Sequence, residues 1–160
     1  MEMRRKDREV RDMVRIYDIL QRCDTITLGM NGEEAPYVIP MTFGCSLEEG
    51  KICIYFHSAM GGRKWEILNR DPHVCVEAHL YYKVVSEMQE KHGSVTAKYE
   101  SVIGTGVAEK VTETAEKVAA FKIMLGQYAQ SGFPVESCKG LPNCEVFKVV
   151  LQEVCGKCNL

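Results

Sequence analysis

A chain of 160 residues has the length of one domain and can bury about two-thirds of the surface its unfolded form exposes. Its hydrophobic and charged fractions, 46% and 26%, are those of an ordinary globular protein, and a net charge of −2 argues against nucleic acid, whose phosphates demand a cationic excess. No apolar run reaches the ~20 residues of a membrane span, and Arg4-Arg5-Lys6, interrupted by Asp7 and Glu9, does not read as a signal peptide. A cytoplasmic protein is expected.

Residues 8–21 place Val10, Met13, Val14, Tyr17 and Leu20 at helical spacing, with Asp7 as a candidate N-cap. Thr25 to Met30 alternates polar and apolar residues as a half-buried strand does, and Asn31-Gly32 is a turn signal. Tyr37 to Phe43 reads as the hairpin partner, with Pro40 unable to donate to a ladder, which suggests an edge, a bulge or a ligand in place of a neighbouring strand. Ser46 to Gly50 reads as a polar turn and Lys51 to Phe56 as the third strand.

The stretch His57-Ser58-Ala59-Met60-Gly61-Gly62-Arg63-Lys64 organises the rest. A strand stops, two glycines turn the chain, and a helix begins with two cations at its entrance; Asp71-Pro72 ends that helix. A helix start offers free N–H donors and partial positive charge, glycine lets a ligand approach the backbone, and Arg63 and Lys64 add phosphate donors. The competing account is a plain strand–turn–helix connection with its cations in water.

His73 to Tyr82 predicts a fourth strand, with Val74, Val76, Ala78 and Leu80 on one face and Cys75, Glu77, His79 and Tyr81 on the other. Residues 83–97 lack a period and read as a flexible excursion. Tyr99 to Val111 is a fifth strand, in which Gly104 and Gly106 point to a bulge or a close backbone approach. Residues 113–130 form a second long helix, capped by Thr112 and striped by Val118, Phe121, Leu125 and Tyr128. A Gly/Pro-bearing loop over 131–144 and a last strand from Glu145 to Val154 follow. The expectation is one domain over residues 1–160: mainly β with flanking helices, a small six-stranded antiparallel barrel.

In that order of elements the chain resembles the pyridoxamine-phosphate-oxidase-like FMN-binding split-barrel proteins, and within them the Nim-type (5-nitroimidazole resistance) branch. The residues that carry the resemblance are Met3 to Glu9, Pro36 to Gly44, His57 to Lys64 and Tyr99 to Gly106. It implies a split barrel, a homodimer with FMN at the interface, and a nitroreductase-like FMN-dependent oxidoreductase acting on a nitroimidazole or similar small electron acceptor. Carried over by position, Arg63 and Lys64 would grip the FMN phosphate, and Ser58 would add a hydroxyl to it or to the ribityl chain. Val38, Ile39, Pro40, Met41 and Thr42 would lay their backbone along the isoalloxazine ring, with Phe56 and His57 flanking it. Ser101 and Val102 match a segment that reaches the site from the partner subunit. His57, able to donate or accept a proton near neutrality, is the candidate catalytic residue.

Other readings stay open. A non-catalytic flavin or haem binder would use His57 as an axial ligand. Cys155-Gly156-Lys157-Cys158, with Cys138 and Cys144 upstream, would hold zinc or an iron–sulfur cluster, form a redox pair, or be exposed tail thiols without a role. Cys23, Cys45, Cys53 and Cys75 are expected as buried hydrophobes. His73, His79 and His92 share no metal spacing.

Overall fold

A computed structural model describes residues 3–89 and 92–160. In chain order the elements are strand β1 (Glu9–Val10), helix α1 (Met13–Gln21), β2 (Ile26–Met30), β3 (Tyr37–Met41), β4 (Gly44–Glu48), β5 (Lys51–Ala59), helix α2 (Arg63–Arg70), β6 (His73–Gln89), β7 (His92–Val111), helix α3 (Thr114–Gln127) and β8 (Cys144–Asn159). The strands pair antiparallel in the order β3-β2-β6-β7-β8-β5-β4, with β1 added to β8. The two ends of that path, β3 and β4, are consecutive in the chain and joined through Thr42 and Phe43, so the sheet curls round and is split between them.

The mainly-β class and the flanking helices are as expected, but eight strands stand where six were expected. The turn expected over Ser46 to Gly50 is largely strand, since β4 runs from Gly44 to Glu48. Gly44 and Cys45 bury themselves and pair with Tyr55 and Ile54, and the turn contracts to Glu49 and Gly50, both at positive φ (50° and 78°). Residues 83–97 are strand as well, extending β6 and β7 into a hairpin paired from Lys83↔Lys98 to Gln89↔His92. Most of its side chains are exposed on both faces, so no burial period marks it. Asn31-Gly32 opens a longer connection over 31–36 rather than a two-residue turn, and the Asn31 side chain donates to Asp71 at 2.8 Å.

Helices α1 and α3 start later than their patterns suggest. Asp12, not Asp7, caps α1 by accepting the Arg15 N–H at 2.8 Å; the Asp7 carboxylate is taken by Arg5 at 2.6 Å. Ile16, Ile19 and Leu20 face the core and Val14 is exposed. Glu113 rather than Thr112 precedes α3, whose fully buried residues are Ala120 and Met124; Val118, Phe121, Leu125 and Tyr128 are half-buried. At the C-terminal end of α1, Arg22 donates to the buried Glu100 at 2.8 Å, and Tyr82 donates to the same oxygen at 2.6 Å.

Inside the barrel Phe56 stacks on Phe147 with ring centroids 5.3 Å apart. The β7 register shifts between Thr105 and Gly106, where a Cβ on Gly106 would lie 2.6 Å from the Val150 carbonyl oxygen, so the expected bulge and the close approach are one feature. Gly44 does the same for α3: a Cβ there would sit 2.6 Å from the Met124 Cα.

Cys23 and Cys45 are buried, and burial pushes both thiols up to about 11. Cys53 is buried too, but Cys75 is exposed, because it lies on the face of β6 opposite Val74 and Val76. Cys155 and Cys158 are strand residues of β8, not a free tail; three positions apart, they point to opposite faces and cannot close on one metal. Among the described residues no group of three or more His, Cys, Asp or Glu side chains is placed to hold a metal ion, and no helix is long and apolar enough to cross a membrane.

Candidate functional site

The turn from β5 into α2 passes through Gly61 (φ 100°) and Gly62 (φ 86°), a region that side-chain-bearing residues rarely enter. Nothing lies within 4 Å of where a Cβ would stand on either, so the glycines serve the backbone path and leave its surface open. No side chain caps α2, and its first turn offers N–H donors and the positive end of the helix dipole. Arg63 and Lys64 occupy that turn. The Arg63 guanidinium lies 4.9 Å from the centre of the Tyr37 ring, and Lys64 Nζ lies 3.4 Å from Met41 Sδ. Tyr37 and Met41 are the first and last residues of β3, so the two cations lean on that strand from either end.

Lys64 is half-buried with no carboxylate paired to it among the described residues, and burial pushes its pKa down. A half-buried cation of this kind, beside an uncrowded glycine backbone and uncapped N–H groups, fits an anionic group such as a phosphate. β3 itself is an end strand, paired on one side to β2. It turns Val38 and Pro40 outward, as does the following Thr42, while Tyr37, Ile39 and Met41 pack toward the core. Pro40 thus sits on an edge, one of the places expected for it.

The end of β5 divides the remaining candidates by parity. His57 points outward, its ring 5.4 Å from that of Phe121 on α3. Phe56 is fully buried, so only its main chain can face a ligand. Ser58 is buried as well and donates its hydroxyl to the Ala59 carbonyl at 3.0 Å. Enclosure by its surroundings, and then the charge of Lys64, lower the His57 pKa.

Ser101 and Val102 are not brought to this place. They lie on β7, three strands from β3 and so about 14 Å across the sheet; Val102 is buried in the core and Ser101 is half-buried, paired with His79. His73 and His79 bond the carboxylates of Asp71 (2.7 Å) and Glu77 (2.9 Å). A cavity of about 210 Å³ opens beside His57, lined also by Thr42, Phe43, Phe121, Met124, Leu125 and Tyr128. Its α3 wall carries no sequence signal beyond an apolar stripe, which cannot tell a cavity from a core.

The chain belongs to the pyridoxamine 5'-phosphate oxidase family, whose model matches residues 12–158. Within it, the chain is similar to a candidate 5-nitroimidazole antibiotic resistance protein of Bacteroides thetaiotaomicron: 30% identity over 93% of this chain and 85% of that one, with a TM-score of 0.78. The fold is shared with the flavocytochrome Anf3 of Azotobacter vinelandii (20% identity, 99% and 72% of the two chains, TM-score 0.80). It is shared as well with an FAD- and haem-binding protein of Mycobacterium smegmatis (15%, 95% and 73%, TM-score 0.77). No curated protein matches the chain.

Proposed function

We propose that the protein is an FMN-dependent oxidoreductase that passes electrons to a nitroimidazole or a similar small acceptor. The observation that carries this reading is the convergence of Arg63, Lys64 and the open start of α2 on the two ends of β3. Arg63, Lys64 and the first N–H groups of α2 would hold the phosphate, and Val38, Ile39, Pro40, Met41 and Thr42 would present their main chain to the isoalloxazine ring. FMN supplies the redox chemistry when bound; the chain supplies placement and a proton source. In the homodimer that the resemblance implies, Ser101 and the main chain of Val102 would serve the flavin of the second copy, since neither reaches the site on its own chain.

The visible absorption spectrum of the purified protein, followed by FMN titration with mass measured by light scattering, tests this. Flavin bands or tight FMN uptake by a dimer is the expected result. A Soret band, or no uptake, would overturn the cofactor, and a flavin-loaded monomer would remove the second copy.

His57 is placed to hydrogen-bond and protonate an acceptor at the mouth of the cavity beside it. His57→Ala is expected to spare FMN affinity and lower kcat by about 10²-fold or more. The acid form donates, so the rate that His57 supports falls as pH rises through its lowered pKa, and the variant loses that limb of the pH profile. An unaltered rate and profile would take His57 out of the chemistry.

A further inference from the structure

Ser101 has a cation as its neighbour. Across the β7–β8 ladder it pairs with Lys157, so the two side chains share one face, with Cβ atoms about 4.5–5.5 Å apart. That face is the outward one. Val102, next along β7, is buried, and a Cβ on its cross-strand partner Gly156 would meet Val10 and Ile16 of the core. Ser101 and Lys157 therefore turn away from the core.

Tyr99, two residues from Ser101 on the same outward face, has Lys157 Nζ 5.4 Å from its ring centre. Burial acts to raise the Tyr99 pKa, but hydrogen bonds from Lys157 and Arg8, and then their charges, bring it below its ordinary value. Lys157 is half-buried, and no carboxylate is paired with it among the described residues. The acids nearby are committed elsewhere. Glu9, its partner on β1, takes Arg11 at 3.1 Å and Lys6 at 3.9 Å, and Asp7 takes Arg5 at 2.6 Å and Arg8 at 3.9 Å. A half-buried ammonium left with a phenol fits a ligand that brings negative charge.

Position says which ligand. In the homodimer of the flavin reading, on which this inference rests, Ser101 approaches the ring of the second copy's flavin, and Lys157 is carried there beside it. The oxidised isoalloxazine ring is neutral. Two electrons and one proton leave it with one negative charge, spread over N1 and the C2 carbonyl.

We propose that Lys157 of one copy faces the isoalloxazine ring held by the other and stabilises the charge that the ring gains on reduction, with Tyr99 and Arg8 as the residues that position it. A cation so placed favours reduced over oxidised flavin and sets the potential at which electrons leave for the acceptor.

The test is the midpoint potential of the FMN-loaded dimer, titrated with dithionite against a reference dye, together with FMN affinity by equilibrium dialysis. Lys157→Met is expected to leave the affinity for oxidised FMN little changed. It weakens that for reduced FMN about tenfold or more, which lowers the potential by about 30 mV or more for a two-electron couple. Lys157→Arg keeps the charge and is expected to keep the wild-type potential. The decisive sample is a mixed dimer of one Lys157→Met copy and one Arg63→Ala/Lys64→Ala copy, purified through two tags. Its one flavin site with an intact phosphate grip meets the intact Lys157 of the other chain, so the potential returns to the wild-type value. An unmoved potential in Lys157→Met, or a lowered one in the mixed dimer, would overturn the proposal while FMN is still bound. A wild-type protein that takes up no FMN, or takes it up as a monomer, overturns the flavin reading itself and is recognised before any variant is made.

Discussion

Replacing Arg63 and Lys64 together with Ala is expected to weaken FMN binding by about 10²- to 10⁴-fold and to leave the flavin-free protein folded. The magnitude follows from two charge-assisted contacts to phosphate, each worth about 1.5–3 kcal/mol, with every 1.4 kcal/mol a factor of ten. The fold loses little, because neither side chain secures it through an ion pair among the described residues. Arg63 lies on the Tyr37 ring, and Lys64 is a half-buried cation whose pKa is pushed down, so its charge is disfavoured where it stands. Equilibrium dialysis against FMN, with circular dichroism as the folding control, reads both halves. Unchanged affinity would remove the phosphate assignment, and a fall in stability matching the lost affinity would make the pair structural.

The second large effect is expected at a residue with no side chain. Gly44→Ala places a Cβ 2.6 Å from the Met124 Cα and nitrogen and 2.8 Å from the Ile123 carbonyl carbon, all backbone atoms of α3. No rotamer change relieves that contact, so the helix must lift from β4. Overpacking of this kind costs about 1–3 kcal/mol or more, which for a chain of this length lowers Tm by about 2–12 °C. The matching control is Gly132→Ala, where nothing lies within 4 Å of the added carbon and little change is expected. Thermal unfolding of the two variants compares them directly; equal Tm values would show that α3 is not seated on Gly44.

Much of this architecture is legible in the sequence where burial has a period. The alternation in β6 from Val74 to Leu80 and the glycine-led start of α2 are where their patterns place them. Legibility stops where pairing is carried by backbone alone. β4 hides a strand behind Ser46 and Glu48, and the β6–β7 hairpin is exposed on both faces. For the candidate site, the cations could be named but not their direction, since contact with Tyr37 and Met41 exists only after β3 folds back against α2. Parity was available and decisive for β5: once His57 faces out, Phe56 and Ser58 must face in. The α3 wall of the cavity was not available, because Phe121, Leu125 and Tyr128 have the spacing of any core-facing helix.

The free margin of β3 has a consequence for how the protein keeps company with other chains. An exposed strand edge is a template on which another molecule's strand can add, the first step toward filaments and aggregates. Here Pro40, mid-strand, withholds one of the donors such an addition needs, while the register with β2 runs unbroken through Ile39 and Met41. A small flat molecule that needs contact with the margin, rather than a full hydrogen-bonded ladder, is under no such prohibition. One imino acid therefore discourages polymerisation along a rim that stays open to a molecule of that kind.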